Sequence, residues 1–307
     1  MKISFVIPIF DEEENIAELY RRIRESLKKD FCDFDYEIIM IDDGSTDKSF
    51  EILKSLHQSD KRIRVIRFSR NFGHHIAITA GLDYVSGDIV VVMDSDLQDK
   101  PEEVIKLWEK MKQGYDVVYG KRRRKQFGFF KIICARLFNF IIKRLIDEKI
   151  EINSSIFRIM SRQVVESVRT LRESNRYIIG IIGWVGFKHT WQEVEHGERV
   201  RGKTKYGLWR QIRLASDAIF SFSTYFIKLA VKIGLFFVFV SGLLVIYIII
   251  KKFVFHSPIT GWTSIMVAIL IVGGIQIMIL GIIGEYVARI YSEAKRRPLY
   301  IISEFLD

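Results

Sequence analysis

Two stretches without a charged residue dominate the last third of the chain. Residues 233–250 make one of 18 residues, and residues 259–284 make one of 26, ended by Glu285. In lipid every backbone N–H and C=O must be satisfied within the segment, which confines such runs to helices. At ~1.5 Å per residue they reach roughly 27 and 39 Å, against a hydrocarbon core of about 30 Å. The expectation is two C-terminal transmembrane helices, over 227–251 and 259–284, with a buried soluble hairpin as the alternative. The connector holds Lys251, Lys252 and His256. The outer flanks hold Arg210, Arg213, Lys228 and Lys232 on one side, and Arg289, Lys295, Arg296 and Arg297 on the other. That bias predicts a multi-pass cell-membrane protein with both termini cytoplasmic. In the tail, 285–307, residues 298–302 are a strand candidate.

Residues 1–120 read differently. Short runs rich in Val and Ile, at 3–9, 36–41, 64–68, 88–93 and 116–119, alternate with helix-like stretches near 12–29, 47–58, 72–85 and 101–113. Thr46-Asp47 offers an N-cap to the second of these helices, and Pro101 stands at N1 of the fourth. Alternating strands and helices predict an α/β domain built on a mostly parallel sheet covered on both faces. Such sheets bind ligands outside the carboxyl ends of their strands. Acids just after strands are therefore the first residues to weigh.

The composition then shifts. Residues 121–125 are five consecutive basic residues. Phe127, Phe129, Phe130, Phe138 and Phe140 follow, interleaved with Lys131, Arg136, Lys143 and Arg144. Aromatics between basic residues predict an interfacial amphipathic helix over about 127–146. Residues 206–226, with Trp209, Arg210, Arg213, Phe220 and Phe222, predict a second. A core-facing helix is the plainer reading of each. The net charge of +10 points to an anionic partner: nucleic acid, anionic lipid or a phosphorylated substrate. Cys32 and Cys134 match neither a metal-ligand spacing nor a disulfide framework. Residues 1–6 enter a strand directly, so no signal peptide is expected.

Two clusters carry chemistry. Ile89-Val90-Val91-Val92-Met93-Asp94-Ser95-Asp96 is a buried-strand pattern that runs into two carboxylates at i and i+2. Where a chain leaves its pleat, both can converge on one ion. Mg²⁺ and Mn²⁺ prefer oxygen ligands and share them with substrate phosphates. Such an ion would neutralise charge on a leaving diphosphate. Ile41-Asp42-Asp43-Gly44-Ser45-Thr46-Asp47 follows another apolar run. A turn with a helix cap accounts for Ser45, Thr46 and Asp47. It leaves two acids at a strand end, where a carboxylate can accept hydrogen bonds from a base or a ribose.

Together these segments resemble the family 2 glycosyltransferases of the GT-A fold, a Rossmann-like α/β architecture. Ile7-Pro8-Ile9-Phe10-Asp11-Glu12-Glu13-Glu14-Asn15-Ile16 is similar to that family's opening strand and loop, with Asp11 where Asn is usual, and residues 42–47 to its nucleotide-contacting loop. Ser69-Arg70-Asn71-Phe72-Gly73-His74, Ala80-Gly81-Leu82-Asp83, Asp94-Ser95-Asp96-Leu97-Gln98-Asp99-Lys100-Pro101-Glu102 and Arg201-Gly202-Lys203-Thr204-Lys205-Tyr206 resemble one branch of it. That branch is the polyprenyl-phosphate glycosyltransferases, which include dolichyl-phosphate mannose synthase and bacterial polyprenyl-phosphate glucosyltransferases. The paired spans and Arg297-Pro298-Leu299-Tyr300 look like the bacterial members. The resemblance covers nearly the whole chain.

The resemblance implies a cytoplasmic GT-A domain over 1–205. It implies inverting, metal-dependent transfer of a sugar from a nucleotide-sugar to undecaprenyl or dolichyl phosphate. UDP-glucose is the first donor it suggests, followed by GDP-mannose and UDP-N-acetylglucosamine. Asp94, Asp96 and Gln98 would surround Mg²⁺ or Mn²⁺. Pro8, Glu12, Asp42, Asp43, Asp94 and Arg124 would hold the nucleotide-sugar. Asp96, Arg122, Arg201 and Lys203 would carry the transfer; Arg grips phosphate bidentately and Lys acts as a point charge. A solvated or lipid-facing charge run is the plainer reading of Arg122 and Arg124. The implied partners are the donor, the acceptor lipid and the bilayer, without nucleic acid. An exposed tail strand also offers edge pairing for a homo-oligomer.

One position departs. Many members of the branch carry an acid before a Phe-Arg pair, where this chain has Ile156 before Phe157-Arg158. A lipid monophosphate, with a second pKa of about 6, is largely anionic at neutral pH. Such a nucleophile needs little general-base help. It needs cations against the donor diphosphate, which shifts weight to the metal and the basic residues.

Rival readings fare worse. Gly197-Glu198-Arg199-Val200-Arg201-Gly202-Lys203-Thr204 matches the P-loop pattern of a membrane NTPase letter for letter. That motif needs a buried strand before it and a helix whose N-terminus meets phosphate. Residues 191–196 instead alternate as a half-exposed strand would, and too little chain precedes the first span for a further nucleotide-binding sheet. A basic scaffold or nucleic-acid binder leaves the acids after Ile41 and Met93 unexplained. A processive polysaccharide synthase usually carries Gln-x-x-Arg-Trp, which is absent. His74 and His75 have no acid or Cys partners at metal spacing and read as structural or donor-site residues.

Overall fold

The computed structural model describes residues 1–122, 156–174, 176–197 and 261–307, and residues 230–250 except 238, 241, 242, 244, 245, 248 and 249. The chain divides into two compact units, Met1–Ala218 with Arg297–Asp307, and Ile219–Arg296.

The first unit is α/β. It runs β1 (Lys2–Ile9), α1 (Ile16–Asp30), β2 (Asp35–Asp42), α2 (Ser49–Ser59), β3 (Ile63–Phe68), α3 (His74–Tyr84) and β4 (Ile89–Val92). A 3₁₀ turn at Pro101–Glu103 leads into α4 (Val104–Met111), β5 (Val117–Arg122), β6 (Arg158–Ser161), α5 (Arg162–Thr170), α6 (Ile178–Trp184) and β7 (His189–Val194). The tail adds β8 (Ile302–Leu306). The eight strands form one sheet in the order β7-β5-β6-β4-β1-β2-β3-β8. The β4-β1-β2-β3 core is parallel, as is β5 with β7. β6 lies antiparallel between β4 and β5, and β8 lies antiparallel on β3. This is the mostly parallel α/β sheet that the sequence predicts.

β1, β2 and β4 are buried on nearly every residue. Strands covered on both faces carry unbroken apolar runs rather than alternation. α1 buries Ile16, Leu19, Ile23 and Leu27, a stripe at three- and four-residue spacing. That stripe shares a core with Ile3, Phe5, Ile7 and Ile9 of β1, Leu53 of α2 and Leu107 of α4. Successive strand residues point to opposite faces, so Val6 faces away from this core, toward α3. A Cβ on Gly81 of α3 would stand 2.3 Å from Val6 Cγ1 and 2.8 Å from Ile41 Cδ1. The missing side chain is what lets α3 lie close on β1 and β2.

Several boundaries differ for local reasons. α1 begins at Ile16 rather than 12, because Asp11, Glu12 and Glu13 donate their backbone N–H groups to Ser45, Ser49 and Asp47. α2 begins at Ser49, whose N–H donates to Asp47 Oδ1 at 2.9 Å, so Asp47 caps from two residues upstream. The stretch at 101–113 divides into a 3₁₀ turn, with Pro101 at its start, and α4. The tail strand lies at Ile302–Leu306 rather than 298–302. Pro298 has no N–H to give a ladder. Tyr300 is used sideways: its ring stacks on Phe68 at 5.2 Å and its OH donates to Asp83 Oδ2 at 2.8 Å.

The second unit contains α7 (Trp262–Ala294), and the described residues among 230–250 are helical. Within α7, Ile271–Ala294 is long and apolar enough to cross a membrane, with mean hydropathy 1.8. It is the one helix of that kind among the described residues. α7 runs past the expected end at 284, carrying an Arg289–Glu285 ion pair at 2.9 Å. The expected interfacial helices, 127–146 and 206–226, lie outside the described residues, and the first expected span is described only in part.

Candidate active site

β1 pairs with β2 as far as Ile9↔Asp42 but with β4 only as far as Val6↔Val92. Beyond Val6 the two strands no longer pair, and at these carboxyl ends the strand order turns around, the crevice in which sheets of this kind bind ligands. Val6 O accepts from Met93 N at 3.2 Å, so Val6 presents its backbone to β4. Pro8, two residues on, presents its backbone the same way, past the end of that strand. A proline in a central strand costs no ladder bond at this point. Pro8 thus stands at the carboxyl end of β1, past the last residue that pairs with β4.

The β2–α2 loop closes one side. Asp42, the last residue of β2, is fully buried. Its Oδ1 accepts from Ser45 N at 2.9 Å, and its Oδ2 lies 3.4 Å from Arg67 Nε. Burial pushes its carboxyl up, opposed by Ser45 and Arg67. Asp43 is also buried, and it reaches across to the entry of α3. Its Oδ1 accepts from Phe72 N at 2.7 Å and its Oδ2 from Gly73 N at 3.0 Å. Gly44 takes φ +73°, and a Cβ there would stand 2.6 Å from the Arg70 carbonyl carbon. The two loops are therefore locked together. Glu12 Oε2 accepts from Asn15 Nδ2 at 2.6 Å, which orients it at the start of α1.

The β4 exit loop closes the other side. Asp94 Oδ1 lies 3.3 Å from Nε2 of His74, the first residue of α3. Asp96 Oδ1 accepts from Gln98 N at 3.1 Å. Gln98 Oε1 lies 2.9 Å from His196 Nε2. Two carboxylates and an amide oxygen are a hard donor set that suits Mg²⁺ or Mn²⁺. Among the described residues no three His, Cys, Asp or Glu side chains are grouped as a metal centre. The loop fits a divalent ion that completes its shell with substrate oxygens rather than a closed protein cage.

Arg158 and His196 are neighbours that the sequence reading did not single out, and His75 is one that it took as structural or donor-site. Arg158 pairs in register with Val92 of β4 and Tyr119 of β5. It is fully buried, donates from Nε to the Ile156 carbonyl at 3.0 Å, and lies 5.0 Å from the Tyr119 ring centroid. Burial opposes its charge, while Tyr119, Tyr177 and Asp94 favour it. Ile156, whose side chain brings no acid, thus contributes its backbone oxygen. His75 packs edge-on against Tyr177 at 5.3 Å, and burial pushes its pKa down to about 3, so its imidazole is neutral. His196 meets Gln98. Arg122 ends β5, whereas Arg124, Arg201 and Lys203 lie outside the described residues.

A sequence model of the family described as "Glycosyl transferase family 2" matches residues 4–169. The chain is 43% identical over 305 residues to Uncharacterized glycosyltransferase YkcC of Bacillus subtilis (strain 168), covering 99% of this chain and 94% of that protein. It is 41% identical over 303 residues to the Bactoprenol glucosyl transferase of Shigella phage SfV, covering 98% of each. Among solved structures it resembles the mannosyltransferase PcManGT from Pyrobaculum calidifontis, solved with GDP-Man and Mn²⁺, at a TM-score of 0.50 and 16% identity. That match covers 69% of this chain and 60% of the other, and it speaks to a shared GT-A-like fold. The family model spans most of the sheet that builds the crevice, and the relatives match nearly end to end: the chain belongs to glycosyl transferase family 2.

Proposed function

We propose that this glycosyltransferase moves a sugar from a nucleotide-sugar, UDP-glucose first, to a polyprenyl phosphate with inversion of the anomeric centre. The observation that carries the reading is the acid pair Asp94 and Asp96 at the parting of β1 and β4, opposite the Asp43-held loop. The 41% identity, over nearly the full length, to a protein named bactoprenol glucosyl transferase supports the acceptor and the sugar.

In this reading Asp94, Asp96 and Gln98 hold Mg²⁺ or Mn²⁺, which supplies Lewis-acid relief of charge on the leaving diphosphate. Pro8 and Glu12 line the nucleotide site. Asp43 shapes it through the loop at Phe72 and Gly73, and Asp42 supports it from within the sheet. Arg122, Arg124, Arg201 and Lys203 meet the phosphates of donor and acceptor. The attacking oxygen is already anionic, so no side chain has to remove a proton. That accounts for Ile156 where relatives carry an acid. The catalytic domain, 1–205, works at the cytoplasmic face. Interfacial helices at 127–146 and 206–226 hold it at headgroup height, and spans at 227–251 and 259–284 anchor it. Holding the reactants at that height supplies proximity without extracting the lipid.

The test is a donor screen on membranes supplied with undecaprenyl or dolichyl phosphate and Mg²⁺ or Mn²⁺. Label should pass from UDP-glucose into the lipid fraction. Label from GDP-mannose alone would replace the donor, and no label from any nucleotide-sugar would sink the reaction.

A further inference from the structure

The loop that carries Asp94, Asp96 and Gln98 is held by residues far downstream. β7 ends at Val194, and the chain then turns back onto the acid loop. Asp99 and His196 form an antiparallel bridge. Gly197 N donates to Gln98 O at 2.9 Å. His196 Nε2 lies 2.9 Å from Gln98 Oε1, and its Nδ1 lies 3.7 Å from Asp99 Oδ1. Glu195 completes the clamp: its carboxylate takes Lys100 Nζ at 2.8 Å, and its N–H donates to Glu103 Oε2 at 3.1 Å. The approach is close enough that a Cβ on Gly197 would stand 2.9 Å from Leu97 O. Leu97 takes φ +61°, a left-handed conformation that an apolar residue keeps only when its surroundings hold it.

We propose that His196 is a positioning residue for the donor site: its Nε2–H holds the Gln98 amide so that the carbonyl oxygen faces a divalent ion. The inference rests on the reading of Asp94, Asp96 and Gln98 as metal ligands. An amide oxygen has two acceptor sites. With one occupied by His196, the other has a set direction. An unrestrained Gln side chain would lose rotamer freedom each time it met the ion, which weakens binding. Residues that orient a ligand in this way typically change metal affinity about 10–100-fold. The chain also passes directly from this clamp into the segment carrying Arg201 and Lys203.

The test uses the full-length protein in detergent and Mn²⁺, with free ion followed by electron paramagnetic resonance in the presence of UDP or GDP. His196→Ala should weaken Mn²⁺ binding about tenfold. His196→Gln, whose amide N–H can donate to the same oxygen, should recover most of that loss. Gln98→Ala should weaken binding at least as much as His196→Ala. Binding of nucleotide without metal should not change in His196→Ala. Unchanged Mn²⁺ affinity in either alanine variant overturns the proposal. So does a parallel loss of metal-free nucleotide binding, which marks general loop damage. Failure of the wild-type protein to bind Mn²⁺ with either nucleotide overturns the metal reading together with this inference, and is distinguishable from the other two results.

Discussion

Asp43→Ala tests what locks the β2–α2 loop to the entry of α3. The Asp43 carboxylate accepts from the N–H groups of Phe72 and Gly73, at 2.7 and 3.0 Å, and is itself buried. A hydrogen bond to a charged group contributes about 1.5–3 kcal/mol, so losing both costs roughly 3–6 kcal/mol. Phe72 and Gly73 are partly exposed, so water can re-satisfy their N–H groups, which favours the lower end, near 3 kcal/mol. For a domain of this size that corresponds to a melting temperature lower by about 6–12 °C. His74 follows Gly73 directly and sets the 3.3 Å contact with Asp94, so the donor KM should rise by about tenfold or more. Asp43→Asn keeps one oxygen and should lose about half as much stability. The assay is fluorescence-monitored melting of the full-length protein in detergent, paired with donor kinetics. Melting within about 2 °C of wild type, less than 1 kcal/mol, with an unchanged KM would refute the locking role. A raised KM with unchanged melting would instead mean that Asp43 acts on the donor directly.

Three further outcomes follow from the geometry. Asp96→Ala, or EDTA treatment of the wild type, should abolish transfer; added Mn²⁺ should restore the chelated enzyme but not the variant, and full activity in either case would exclude the metal role. Gly44→Ala puts a methyl group 2.6 Å from the Arg70 carbonyl carbon at φ +73°, so it should destabilise by more than 1 kcal/mol, read by the same melting assay; a neutral result would show that the two loops yield. Burial pushes the Glu37 carboxyl up, but hydrogen bonds from Ser4, Ser86 and Lys2 outweigh it and hold its pKa at about 2 against an ordinary 4.5. Its folded pKa is depressed, so its contribution of about 3 kcal/mol is complete above pH 4.5 and disappears as pH falls toward 2. Urea midpoints measured at pH 7, 4.5 and 3 should fall more steeply in wild type than in Glu37→Gln, and parallel curves would contradict this.

The parallel core was legible because its strands are covered on both faces. Ile3 to Ile9, interrupted by Ser4, and Ile38 to Ile41 read as apolar runs, and the acids after them stand where the strands end. β6 was not legible: it is four residues long, and Arg158, the charge at its start, is buried only because Val92 and Tyr119 flank it. The helices α5 and α6 escaped notice too: α5 carries its apolar stripe, Val164, Val165 and Val168, over only nine residues, and α6 is buried nearly all round, so it has no polar face to read.

The site divides along the same line. Asp94, Asp96, Asp42 and Asp43 follow from sequence alone, because a carboxylate placed just beyond an apolar strand lands at the carboxyl end of a parallel sheet wherever that strand packs. Which partner each side chain meets does not follow. Asp43 on Phe72 and Gly73, His74 on Asp94 and His196 on Gln98 join residues 20 to almost 100 positions apart. Local pattern sets the strands and their ends. Only the order of the strands across the sheet, and the closeness of α3 and the 195–197 turn that it allows, decides which buried polar atoms meet, and so which acids are spent holding loops.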